Sequence, residues 1–137
     1  MKFKYHEDGT LPGDDEIFVF GSNLAGRHGS GAAKVAHEKY GAIYGEGVGM
    51  AERSWAIPTK NYNIVALSIP RIASYIQQFV EFTFKYPEMK FFVTRIGCGL
   101  AGYKDSQIAP MFKECNINCN MPEEWAEFLE SKTGEIE

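Results

Sequence analysis

At 137 residues, 45% hydrophobic and 14% aromatic, the chain has enough apolar side chain for one well-filled core over residues 1–137, which excludes a disordered polypeptide. A formal charge of −4 argues against a nucleic-acid backbone as main partner, since such binders need a basic patch, but not against a small phosphorylated ligand held by backbone donors. Cys98, Cys115 and Cys119 are odd in number and lack C-x-x-C spacing, no leader pattern opens the chain, and no apolar run approaches membrane length; a reducing cytoplasm, no membrane and no metal site are expected.

Phe3 and Tyr5 alternate with Lys2, Lys4 and His6, which predicts a short strand within Met1–Thr10, a turn at Asp8-Gly9, and His6 in solvent rather than on a ligand. Pro12-Gly13-Asp14-Asp15 then leads into Ile17-Phe18-Val19-Phe20, a continuous apolar run suited to a strand buried on both faces. Gly21, Gly26, Gly29 and Gly31 follow within eleven residues, and Ala32–Tyr40 reads as a helix with Gly41 as its C-cap. Strand, glycine-rich loop and helix start point several free amides at an anion. A phosphate cradle is therefore expected, with a ligand-free mobile turn as the competing reading. Ala32-Ala33 stand where a Walker loop needs Lys-Ser/Thr, and Lys34 where a Rossmann fingerprint needs its third glycine, so neither nucleotide motif fits.

Gly41–Glu52 has neither helical period nor strand content and reads as a loop, mobile or forming a binding-site wall. Ser54–Pro58 is a strand ended by proline, with Thr59-Lys60 just beyond it, and Asn61–Leu67 is a second strand candidate. Arg71–Tyr86 is the clearest helix, with Ile72, Tyr75, Ile76, Phe79, Phe82 and Tyr86 on one face and Pro87 as its stop. Lys90–Ile96 is a β-prone run that flows into Gly97-Cys98-Gly99-Leu100-Ala101-Gly102-Tyr103, and Asp105-Ser106-Gln107 caps a helix carrying Ile108, Met111, Phe112 and Cys115. Ile117 and Cys119 mark a last short strand, Met121–Trp125 opens a terminal helix docked by Trp125, Phe128 and Leu129, and Lys132–Glu137 should fray. The order is β-β-α-β-β-α-β-α-β-α, an α/β sandwich with a mixed sheet. Eleven of the fourteen glycines fall in Gly21–Gly49 or Gly97–Gly102, which favours a ligand held between two loops.

These residues justify a family. The stretch from Phe20-Gly21-Ser22-Asn23-Leu24 to Gly29-Ser30-Gly31-Ala32-Ala33, the strand edge Trp55–Lys60, and the string Arg95-Ile96-Gly97-Cys98-Gly99-Leu100-Ala101-Gly102-Tyr103 resemble, in that order, the macrodomain family, which binds ADP-ribose and its derivatives. The likeness is nearest to the Gly-Cys-Gly-Leu branch that includes ADP-ribosyl glycohydrolases. It implies a three-layer α/β/α sandwich, a ribose contact from Asn23, diphosphate held by amides around Gly29–Ala32 and Gly97–Tyr103, and Tyr103 near the distal ribose. The implied ligand-binding set is Gly21, Ser22, Asn23, Gly26, Arg27, Gly29, Ser30, Gly31 and Ala32 with Gly97, Cys98, Gly99, Leu100, Ala101, Gly102 and Tyr103.

In that branch a lysine at the strand edge works with an aspartate directly after Gly-Cys-Gly-Leu. Lys60 matches the lysine, and Ala101 occupies the aspartate position. Asp105, four residues on, is a candidate substitute, and His28 a candidate acid or base in a loop that should face the ligand. Cys98, between two glycines, reads as a small loop residue rather than a thiol nucleophile partnered by His28 or His37. The expected function is binding of ADP-ribose or a related nucleotide. The alternatives are an ADP-ribosyl hydrolase using Lys60, His28 or Asp105, acting on a protein or small-molecule adduct, and a non-catalytic interaction domain. No cofactor is expected; the partners are the nucleotide and an ADP-ribosylated protein.

Overall fold

The computed structural model describes residues 1–130. In chain order the elements are β1 (Lys4–His6), β2 (Glu16–Asn23), α1 (Gly31–Lys39), β3 (Gly49–Ala51), β4 (Ser54–Lys60), α2 (Ile69–Lys85), β5 (Lys90–Val93), α3 (Asp105–Ile108), a 3-10 turn (Ala109–Phe112), β6 (Cys119–Pro122), a second 3-10 turn (Glu123–Trp125) and α4 (Ala126–Leu129). They build one six-stranded sheet in the order β1-β6-β5-β2-β4-β3, mixed because β3 alone runs antiparallel to its neighbour. The apolar run at Ile17 forms the inner strand β2, paired with β5 on one side and β4 on the other, as a strand with two covered faces requires.

Period-2 alternation splits its side chains between two cores. Val19 packs with Trp55, Ile57, Phe91 and Val93 under α2, α3 and α4, while Phe18 and Phe20 pack with Ala56 and Phe92 against Ala33, Ala36 and Tyr40 around α1. The α/β/α layering expected from the resemblance is thus the one found. The connection 7–15 runs from the end of β1 to the start of parallel β2, so it must cross the sheet. It does so without helix or strand. His6 is half-buried rather than solvated: its ring stacks on Phe92 at 3.8 Å between centroids, and its Nδ1 lies 2.9 Å from Asn120 Oδ1.

The element string matches the expected one, but two strands are exchanged. Asn61–Leu67 is not a strand, because Asn61 folds the backbone on itself: its Oδ1 accepts the N–H of Asn63 (2.8 Å) and of Val65 (3.1 Å), leaving one bridge, Lys60 to Ala66. The missing strand is β3, inside the glycine-rich stretch and joined to β4 by a tight turn with Glu52 at φ 50°. Met121 and Pro122, expected to open the terminal helix, instead finish β6, and the expected helix after Asp105 is α3 followed by a 3-10 turn containing Pro110. The frayed end expected at Lys132–Glu137 lies outside the described residues. Among them no helix is long and apolar enough to cross a membrane, and all three cysteines are free.

Candidate functional site

Strands β2, β4 and β5 are parallel and end at the same edge of the sheet. From β2 the chain leaves through α1 towards β4, and from β5 it leaves through α3 towards β6 on the other side. The carboxyl ends of β2 and β5 therefore flank a topological switch point, where an open α/β sheet leaves a crevice. A cleft of about 630 Å³ lies there.

Its first wall is the loop Asn23–Ser30 and the start of α1. Asn23, buried at the end of β2, closes the loop with both arms of its carboxamide: Oδ1 accepts the N–H of Arg27 (2.9 Å) and Nδ2 donates to the Arg27 carbonyl (3.0 Å). Behind the loop, Gly26 and Gly47 allow a backbone-to-backbone approach; a Cβ on Gly26 would collide with Gly45 and Glu46, and one on Gly47 with the Asn23 carbonyl. The Ser30 side chain gives no cap to α1, which has no acidic residue in its first turn. The first-turn amides thus keep their donors, and Ser30, Gly31, Ala32 and Ala33 all line the cleft.

The second wall is Thr94–Ala101. Cys98 donates its N–H to the Arg95 carbonyl and Gly102 to that of Gly99, whereas among the described residues the amides of Gly97, Gly99, Leu100 and Ala101 have no protein acceptor. Arg95 anchors this wall: Nε and Nη2 bond both oxygens of Asp105 (3.1 and 2.7 Å), and Nη1 reaches Asp8 (3.2 Å) on the crossover strand-to-strand connection. Asp105 also accepts from Trp125 Nε1 at 2.8 Å. The carboxyl of Asp105 is held below its ordinary range, chiefly by the Arg95 hydrogen bond and against partial burial, which pushes the other way. A depressed folded value contributes stability that is complete above the unfolded value of about 3.9 and is lost as the pH falls through the folded one. Asp105→Asn should therefore melt lower than wild type at pH 7 and lose less Tm on acidification from about pH 5 to 2; a variant as acid-sensitive as wild type would remove the pair from this account.

Cys98 Sγ lies 3.5 Å from the Ile96 carbonyl, and its thiol is pushed up to about 12 by burial and then by Asp105. It stays protonated at neutral pH and is no nucleophile.

Of the residues singled out from the sequence, Gly21, Ser22, Asn23, Arg27, Gly29, Ser30, Gly31, Ala32 and Gly97 through Ala101 line the cleft, as does Lys60 at the end of β4. Gly26, Gly102 and Tyr103 do not; the Tyr103 hydroxyl donates to the Leu67 carbonyl and ties the second wall to α2's approach. His28 is not brought to the cleft either. Its ring is buried behind the first loop, with Nε2 3.1 Å from the carbonyls of both Ile43 and Glu46, so it braces Gly41–Val48 rather than facing a ligand. That glycine-rich stretch supports the wall from behind and is not itself a wall. Asp105 belongs to the Arg95 anchor and is equally absent from the lining. Lys60 is the remaining catalytic candidate, and the three ion pairs among the described residues (Lys90–Asp15, Arg95–Asp8 and Arg95–Asp105) do not include it.

The ligand-binding set expected from the sequence did not contain the Asp8–Leu11 segment, Phe18, Ala33, Val35, Thr59, Ile64, Thr94, Arg95 or Ile96, all of which line the cleft. Arg95, a cation directly before the second glycine loop, was the one with a local signal. Nothing in the sequence joins residue 8 to residue 95.

The fold is that of macrodomains. The chain is similar to the macrodomain of Mycobacterium tuberculosis DarG (TM-score 0.66, 16% identity, covering 88% of this chain and 96% of that one). It is similar also to Thermosipho africanus DarTG, solved in complex with ADP-ribose (TM-score 0.57, 19% identity, 80% of this chain), of which it spans only 38%. A third similar structure is a protein of unknown function from Bacteroides thetaiotaomicron (TM-score 0.60, 18% identity, covering 89% and 96%). No protein-family model and no curated protein matches the sequence.

Proposed function

We propose that the cleft binds ADP-ribose or a related ADP-ribose-derived nucleotide, with the diphosphate between the first-turn amides of α1 and those of Gly97–Ala101. The observation that carries this reading is that two rows of N–H groups without a protein acceptor belong to residues that line one cleft, with Arg27 and Lys60 as further positive charge. Such rows supply the donors and positive potential that a free diphosphate otherwise takes from cations. Leu11, Phe18 and Val35 give the cleft apolar lining suited to a base, and Asn23 and Lys60 give it polar lining suited to a ribose. One similar structure, DarTG, was solved with ADP-ribose, which supports the same ligand class. Titration calorimetry with ADP-ribose tests it: saturable heat is expected, and its absence at millimolar ligand would leave a non-catalytic interaction domain as the better reading.

Asn23→Ala should weaken ADP-ribose binding by about 1–3 kcal/mol, since a ligand hydroxyl loses its partner and the Arg27 amide its acceptor. The same calorimetric titration checks this; an effect within error would detach Asn23 from the ligand.

A second reading, an ADP-ribosyl hydrolase of the Gly-Cys-Gly-Leu kind acting on an ADP-ribosylated protein or small molecule, is favoured by Lys60 alone, an amine on the cleft wall with no carboxylate beside it. Release of ADP-ribose from a glutamate-linked substrate distinguishes it from pure binding.

A further inference from the structure

Two non-glycine residues among those described have a left-handed backbone: Glu52 at φ 50° and Ile64 at φ 62°. Glu52 sits in the tight turn between β3 and β4, where that conformation is ordinary. Ile64 is the last residue of the three-residue loop between Asn61 and Val65, a position that commonly takes this conformation, but a β-branched side chain crowds its own backbone there, and glycine or asparagine would cost the fold less. Nor does its burial repay the fold: Ile64 is half-buried yet packs into neither core cluster. It lines the cleft instead, in the short loop that directly follows Lys60, which lines it too. The surrounding chain holds it there. Asn61 accepts from Asn63 and Val65 through its side chain, its own N–H donates to the Val65 carbonyl (2.8 Å), and the Ile64 N–H returns to the Asn61 carbonyl (3.1 Å).

We infer that Ile64 is a specificity-determining residue, an apolar stop at the Lys60 end of the cleft that packs on the ribose distal to the base. This rests on the ADP-ribose reading above. A residue retained in strain for a ligand has an uncommon signature, because relieving it should stabilise the fold and weaken recognition together. Ile64→Gly and Ile64→Asn both suit a left-handed backbone and both remove the aliphatic wall.

The test compares calorimetric titrations of wild type and both variants with ADP-ribose and with ADP, which lacks the distal ribose, alongside thermal melting. Expected are a higher Tm for the variants, an affinity for ADP-ribose reduced about tenfold, and an unchanged affinity for ADP. Undiminished ADP-ribose affinity, an equal loss for both nucleotides, or a lower Tm in both variants would overturn the inference. Wild type that binds the two nucleotides equally would overturn it alone, whereas wild type that binds neither would overturn the ADP-ribose reading and the inference with it.

Discussion

Gly29→Val and Gly99→Val should each abolish ADP-ribose binding while melting within a few degrees of wild type. Neither glycine has a left-handed φ, and an ideal Cβ on either meets no heavy atom within 4 Å, so the fold has room for the new side chain. Both line the cleft, one on each wall, and the open space beside them is where phosphate oxygens would approach the amides. A valine there excludes about two charge-assisted hydrogen bonds at roughly 1.5–3 kcal/mol each, a loss of about 100-fold or more. Gly31 is the poorer choice for this experiment, because its φ of 56° would strain any valine and mix a folding defect with a binding one. Circular dichroism and calorimetry on the same samples decide the matter. A folded variant with wild-type affinity at both positions would move the ligand away from these loops.

Ala101→Asp should raise the release of ADP-ribose from a glutamate-linked substrate by about 10²-fold or more, the usual contribution of a positioned acid–base group. Ala101 and Lys60 line the same cleft, while the nearest alternative carboxylate in sequence, Asp105, is occupied by Arg95 and Trp125. Wild type therefore presents an amine with no carboxylate paired to it, the Asp8 carboxylate on the lining being paired with Arg95, and hydrolysis should be slow. Water must add at the anomeric carbon as the bond to the carboxyl oxygen breaks, and its proton needs an acceptor, which the new aspartate supplies. Rapid wild-type turnover that survives Lys60→Ala would sink this view of the site. His28 would not rescue it, since its ring is turned to Ile43 and Glu46.

Much of the fold was legible because its signals are local. The apolar run at Ile17–Phe20 states that its strand is covered twice, and the three- and four-residue spacing from Ile72 to Phe82 states which face of α2 is buried. Where local chemistry competes with pattern, the reading went astray: the Asn61 carboxamide captures backbone donors that a strand would have used, and β3 is too short and too rich in glycine to show a period.

The candidate site divides along the same line. The sequence by itself determined the two glycine loops, their place between strand and helix, and the absence of a carboxylate at position 101, since each is a property of consecutive residues. Only the tertiary structure decided that both loops line one cleft, that Arg95 spans Asp8 and Asp105, that the His28 ring lies against Ile43 and Glu46 away from the cleft, and that Ile64 lines it. The reason is that parallel strands are joined by long crossovers, so residues far apart in the chain share one sheet edge. A titratable side chain takes its role from whatever neighbour that packing supplies.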